Sequence, residues 1–245
     1  MPWSNCLCFV GRRALCHDVQ YNAGKWRIHW YGVQQFNTPG MDGGNDITER
    51  PLAPGEMKTY TVHVTHFGSS WNHAHFSSQY GDGPVGPIMF DGPASAKYDV
   101  YLGPYTLSDW YYVTPFQMDV LASSAPQSGD PLPPADNILI NGTNKKWRNS
   151  GGDYNQGKIT KSKKYRLRLI NHAVDNYIRV SLDGHLMQVM TTGFVPIEPF
   201  RHWSFQRQLR QLELPDPIRR AYATVPGTGW LTIAFLSDNP GTWLM

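Results

Sequence analysis

The chain has 245 residues, with 22 Lys and Arg against 19 Asp and Glu, a formal net charge of +3, few charged residues (17%) and many aromatic ones (13%). So small and scattered a positive excess carries no nucleic-acid footprint, and no stretch approaches the ~20 apolar residues of a membrane span. The 23 Gly and 19 Pro punctuate aromatic and β-branched runs, which predicts an all-β sandwich over helices, as one large domain or two ordinary ones.

Residues 1–19 show no clear period. Their first eight lack the basic region and continuous apolar run of a signal peptide. Cys6, Cys8 and Cys16 are the only cysteines, and an odd number in one short segment is no disulfide framework. Cys6-x-Cys8 with Cys16-His17 could bind a soft metal, although the spacing matches no standard zinc pattern. Residues 26–33 read as a strand on which His29 and Tyr31 share a face. A turn-rich loop follows over residues 37–44, where Asp42 before Gly43 has the plain reading of a turn residue. Residues 58–66 alternate as a half-buried strand. His63 and His66, three apart there, face opposite sides and read as structural.

In Trp71-Asn72-His73-Ala74-His75 the two histidines lie two apart on an extended chain and point the same way, a ready pair of metal ligands. Taken alone, such a pair is more often two strand-end histidines with ordinary hydrogen bonds. A boundary falls at residues 92–97, and residues 99–113 open a second sandwich. Residues 123–136, rich in Pro and Ser, predict a surface loop. Asn141-Gly142-Thr143 is the only N-x-S/T sequon. The basic run over residues 161–168 alternates as a strand with one polar face. Residues 165–171, 177–182 and 185–191 are predicted strands. His172 and His185 read as structural, and His202 as a surface residue in an Arg- and Gln-rich segment that could form a short helix.

Two stretches together carry a family resemblance. Trp71-Asn72-His73-Ala74-His75, followed by Ser77-Ser78-Gln79-Tyr80-Gly81-Asp82-Gly83, is similar to the W-x-H-x-H copper motif of multicopper oxidases. His29-Trp30-Tyr31-Gly32 resembles their H-W-H-G motif. The surrounding text is closest to fungal laccases over residues 20–199, breaks at 200–215, and resumes over 216–245 as a hairpin of a third domain. The resemblance implies cupredoxin-like Greek-key β-sandwich domains: residues 20–95 a nearly complete first domain, 96–199 a partial second, and 216–245 a fragment of a third. Residues 1–19 and 200–215 stay unassigned and are expected to be poorly packed.

By the family pattern the cofactor is copper. His29 would ligate a type 2 copper, His73 and His75 one type 3 copper each, and Tyr31 stands where the family has a further type 3 histidine. Met41-Asp42-Gly43 matches a loop near that cluster, which makes Asp42 a candidate acid beside the ligands. Arg50 replaces a cysteine of the family's cross-domain disulfide. Gly193 aligns loosely with a substrate-facing acid. Asn141 lies in a D-N-x-L-x-N-G-T stretch and is a candidate glycosylation site if the chain is secreted, a chance sequon otherwise.

The implied partners are phenols or aromatic amines and dioxygen, without nucleic acid or membrane, in an extracellular setting. The family's third and fourth copper motifs, H-P-x-H-x-H and H-C-H, do not occur in the sequence, and a blue-copper site needs a cysteine thiolate with two histidines. The expectation is a laccase-like multicopper oxidase chain that is truncated and inactive as written. The alternative is a non-catalytic β-sandwich, at most a weak copper binder.

Overall fold

The computed structural model describes residues 6–9, 13–19, 27–128, 133–146, 150–180, 182 and 187–202. Two layers build the first unit. One is a four-stranded sheet in the order β1-β6-β5-β3, made of β1 (Cys6–Phe9), β6 (Val85–Asp91), β5 (Gly68–Ala74) and β3 (Ile28–Trp30). The other pairs β2 (Arg13–Val19) with β4 (Met57–His63). Between them lie Ile28, Trp30, Tyr60, Val62, Val64, Ala74, Ile88 and Phe90. Trp30 meets Tyr60 edge to face at 5.2 Å.

The period of two is cleanest on β5. Gly68, Ser70, Asn72 and Ala74 are buried, while Ser69, Trp71 and His73 lie on the opposite face. β5 is central, antiparallel to β3 on one side and to β6 on the other.

Residues 1–19, expected to be poorly packed, supply two of these strands. β1 runs parallel to β6, Cys6 opposite Ile88 and Cys8 opposite Phe90, and β2 runs antiparallel to β4 with Cys16 opposite Tyr60. Their partners lie 38 or more residues away in sequence, so no local period announces them. Pairing with a distant strand decides such short segments more than intrinsic preference does.

The second unit is a three-stranded sheet, β8-β7-β9, of β7 (Val100–Trp110), β8 (Asn137–Ile140) and β9 (Tyr165–Asn171). An antiparallel hairpin of β10 (Met187–Thr192) and β11 (Val195–His202) follows. The predicted strand over residues 177–182 carries no pairing among its described residues. Residues 200–202 belong to β11, so the hairpin runs past the predicted end of this unit at 199. His185 and residues 203–245, including the proposed third-domain fragment, lie outside the described residues.

Between β7 and β8 stands an exposed helix, α1 (Pro115–Ser128), where residues 123–136 were expected to form a loop throughout. Its start is a capping box with proline at the first helical position. The Gln117 amide donates to Thr114 Oγ1 at 3.3 Å, and the Thr114 amide donates to Gln117 Oε1 at 3.0 Å. The turn after β8 is Asn141-Gly142, with φ of 50° and 77°. That pair of positive angles suits a two-residue type I′ turn, which returns the Thr143 amide to the Ile140 carbonyl at 3.0 Å.

The two units meet at the start of β5. Phe194, in the turn between β10 and β11, stacks on Phe90 at 4.9 Å and completes the first unit's core.

Candidate metal centre

His29 on β3 and His73 on β5 are direct cross-strand partners, with rings 5.5 Å apart. His75 lies just beyond β5, where its amide donates to the Arg27 carbonyl at 2.8 Å and keeps the chain extended alongside β3. Two residues past His73, it returns to the same face. Its ring is 5.2 Å from that of His29 and 5.6 Å from that of His73, closing a triangle of imidazoles. The triangle lies on the face of the sheet away from the core. Tyr31 and Trp71 extend this face, joined by the Tyr31 amide to the Trp71 carbonyl at 3.1 Å. Trp71 stacks on His73 at 4.6 Å.

Two of the rings are held in a defined tautomer. His29 Nδ1 lies 2.8 Å from the Asp42 carbonyl, and His73 Nδ1 lies 3.0 Å from the Ala74 carbonyl. A carbonyl only accepts, so each Nδ1 carries the hydrogen and each neutral ring keeps its lone pair on Nε2. Burial pushes His73 from an ordinary 6.5 down to about 4, with the neighbouring His29 and His75 adding to the effect and the Ala74 carbonyl opposing it. Burial, then His29, lowers His75 as well. Both are therefore neutral near pH 7, the form in which imidazole binds a metal.

The Asp42 loop owes its place to three contacts. Gly43 has φ +85°, and a Cβ there would lie 2.0 Å from the Ile28 carbonyl oxygen, so only glycine lets the loop press onto β3. Gln35, fully buried, donates from Nε2 to the Met41 carbonyl at 3.0 Å, and Lys58 Nζ donates to the Gly40 carbonyl at 2.8 Å. Asp42 itself is buried, with Oδ1 3.5 Å from His29 Nδ1. Gln35 and Lys58 carry no motif, and only packing marks them.

The remaining candidates fall elsewhere. Tyr31 stands beside the triangle, its ring 6.2 Å from both His29 and His73. His63 is an exposed residue at the end of β4, and His66 hydrogen-bonds to Thr65 Oγ1 at 2.8 Å. Cys6 and Cys8 lie on β1, Cys16 and His17 on β2, strands of different layers. His172 follows β9, with its ring 6.1 Å from Trp71 on the second unit's side. Gly193, the loosely aligned acid position, sits in the joint between the units, where its carbonyl accepts from the Ser69 amide at 3.1 Å. Asn141 is exposed, and its Oδ1 accepts from the Thr106 amide at 2.8 Å.

Three imidazoles, with a buried carboxylate behind one of them, suit copper by donor type. Among the described residues, however, no three His, Cys, Asp or Glu side chains close around a single ion. By donor type the three imidazoles fit part of a copper site, and among the described residues they do not make a complete mononuclear one.

Two multicopper oxidase profiles match the chain, over residues 21–95 and 103–206. The chain belongs to the multicopper oxidase family. It is of the fungal laccase type: 51% identical over 180 residues to laccase-3 of Botryotinia fuckeliana, covering 73% of this chain and 39% of that protein. To a laccase of Neurospora crassa it is 45% identical, covering 71% of this chain and 28% of that one. The crystal structure of the laccase from Botrytis aclada superposes with a TM-score of 0.75 at 33% identity, over 82% of this chain and 38% of that one. The multicopper oxidase Fet3p shares the fold, with a TM-score of 0.66. The architecture is thus the cupredoxin-like β-sandwich of multicopper oxidases, and membership in this family implies copper as cofactor. The chain spans about two fifths or less of the curated laccases it matches. No helix among the described residues is long and apolar enough to cross a membrane.

Proposed function

We propose that this chain contributes the N-terminal half of a trinuclear copper site to a laccase-like multicopper oxidase that oxidises phenols or aromatic amines and reduces dioxygen to water. The observation that carries this reading is the convergence of His29, His73 and His75, with the Nδ1 hydrogens of His29 and His73 held by carbonyls and both Nε2 lone pairs left for metal. His29 would hold the type 2 copper, and His73 and His75 one type 3 copper each. When bound, copper would supply the one-electron steps that pass reducing equivalents to dioxygen. Asp42 would hold His29 through its carbonyl and keep a carboxylate near the protons that dioxygen reduction consumes. Tyr31 occupies a ligand position with a phenol and leaves the half-site one imidazole short.

Residues 20–95 together with β1 and β2 would make the first cupredoxin-like domain, and residues 96–199 with the end of β11 the second, with Phe194 crossing between them. In this reading the protein is secreted and carries a glycan on Asn141, at a turn where the side chain is exposed. A non-catalytic β-sandwich is not favoured by the family match.

The three thiols of the sequence, Cys6, Cys8 and Cys16, stand far from the family's cysteine position. The 245-residue chain by itself should therefore show no blue thiolate–copper band and no oxygen uptake with a phenol, and Tyr31→His alone should not change that. Copper(II) titration followed by electron paramagnetic resonance tests the half-site: binding should fall with His73→Ala or His75→Ala. Binding unchanged by loss of both would place the copper elsewhere. Phenol turnover by this chain that His73→Ala abolishes would overturn the half-site reading in favour of a self-sufficient oxidase.

A further inference from the structure

We infer that the second unit holds β5, and with it His73 and His75, from the strand's far end, and that Arg168 is a positioning residue for the metal centre; this rests on the copper half-site proposed above. Arg168 lies on β9 yet is only 4% exposed, because its guanidinium reaches across to the first unit. Nη1 donates to the Gly68 carbonyl at 2.7 Å and to Ser69 Oγ at 2.8 Å, Nε donates to Tyr101 Oη at 2.9 Å, and Nη2 pairs with Asp91 at the end of β6. One planar fork thus ties the first two residues of β5 to the end of β6 and to β7.

A second contact closes on the same spot. The Ser69 amide donates to the Gly193 carbonyl, and a Cβ on Gly68 would lie 2.1 Å from that oxygen. Farther along β5, His172 packs its ring 6.1 Å from Trp71, which stacks on His73. The second unit therefore grips β5 at Gly68–Ser69 and again at Trp71. His73 is four residues from Ser69 on that strand.

Register is what this grip protects. A slip of one residue moves every side chain of a strand to the other face. On β5 that would turn His73 into the core and bring Asn72 to the metal face. The ladder to β6 resists a slip, but Gly68 and Ser70 bring no bulky side chain to it. The polar anchor at Gly68 and Ser69 supplies the specificity that packing there lacks.

The test uses the full chain with Arg168→Met, Arg168→Lys and Gly68→Ala. Two quantities are read: amide exchange along β5 without metal, and copper(II) affinity with its electron paramagnetic resonance hyperfine splitting. Arg168→Met should speed exchange across β5, shift the splitting and weaken copper binding by about tenfold, the scale seen when a group that orients a ligand is lost. Arg168→Lys, which keeps the charge without the fork, should restore part of both. Gly68→Ala should reproduce the effect with the arginine intact. Exchange, affinity and splitting equal to the parent in Arg168→Met and Gly68→Ala would overturn the proposal. So would loss of the whole β-sheet signal in all three variants, since Arg168 would then be a general structural residue. If the parent chain binds no copper at these histidines, the half-site reading fails, while β5 exchange still decides whether Arg168 positions the strand.

Discussion

The first and second units use strands of similar length to different effect. Between the first unit's two layers the core residues are nearly inaccessible: Ile88 and Ala74 are 0% exposed and Tyr60 1%. In the second, the buried apolar side chains among the described residues are Leu107 and Ile170, apart from Phe194, which belongs to the other core. Trp110, Tyr112, Val120, Leu169 and Tyr177 stand exposed, Tyr177 at 89%. A sheet covered on one face leaves half of its alternating side chains in water. The strands that carry the histidine triangle lie in the unit that closes its own core. The unit beside it supplies a plug, Phe194, and a clamp, Arg168.

Substitutions should separate the units by size of effect. Phe194→Ala should be the most damaging, at about 3–5 kcal/mol, because it opens a cavity in the first core although Phe194 belongs to the second unit's hairpin. Chemical denaturation measures it, and a loss below about 1 kcal/mol would break the comparison by showing that the first core is complete without the plug. Ile88→Ala should cost about 2–5 kcal/mol by the same mechanism. The matched change Leu169→Ala, at a residue 42% exposed on β9, should stay within about 0.5 kcal/mol.

Acid should weaken the first unit through its metal face. His73 is lowered to about 4 in the folded chain from an ordinary 6.5, and burial lowers His75 and His172 in the same direction. Between these values the unfolded chain binds protons that the folded chain refuses. The stability contributed by His73 is therefore complete above pH 6.5 and is lost as pH falls through about 4. Thermal melts from pH 7 to 4 should show a fall that His73→Phe reduces, and a titration of the His73 ring by nuclear magnetic resonance with its midpoint near 6.5 would contradict the burial argument.

The smallest expected effect belongs to the second unit's surface. Asn141→Asp keeps a short side chain able to accept from Thr106 and to hold positive φ, so stability should change by less than about 0.5 kcal/mol. In a secreted preparation from a glycosylating host it should remove the mass of one glycan, measurable on the intact protein. An unchanged mass would show that the sequon is unused.

Much of the metal centre was legible from local pattern. Alternation along an extended chain puts His73 and His75 on one face and His29 beside Tyr31, whatever surrounds them, and the flanking motifs identified the family. The capping box at Thr114 and Gln117 is equally local, and it marks the start of a helix whose end, from Ser123 on, a reading by Pro and Ser content turned into a loop. The strands β1 and β2 carry no such signal, since each exists through a partner far along the chain.

Alternation and spacing by themselves determined which faces the histidines share and where the turns fall, because those depend on backbone geometry over a few residues. Only the tertiary structure decided that the Asp42 carbonyl holds His29, that burial keeps His73 neutral, that Phe194 fills the first core and that Arg168 reaches β5 from the neighbouring unit. Each of these needs groups brought together across 13 to about 100 residues of chain, and a buried polar group or aromatic ring is worth its cost only once that neighbour is in place.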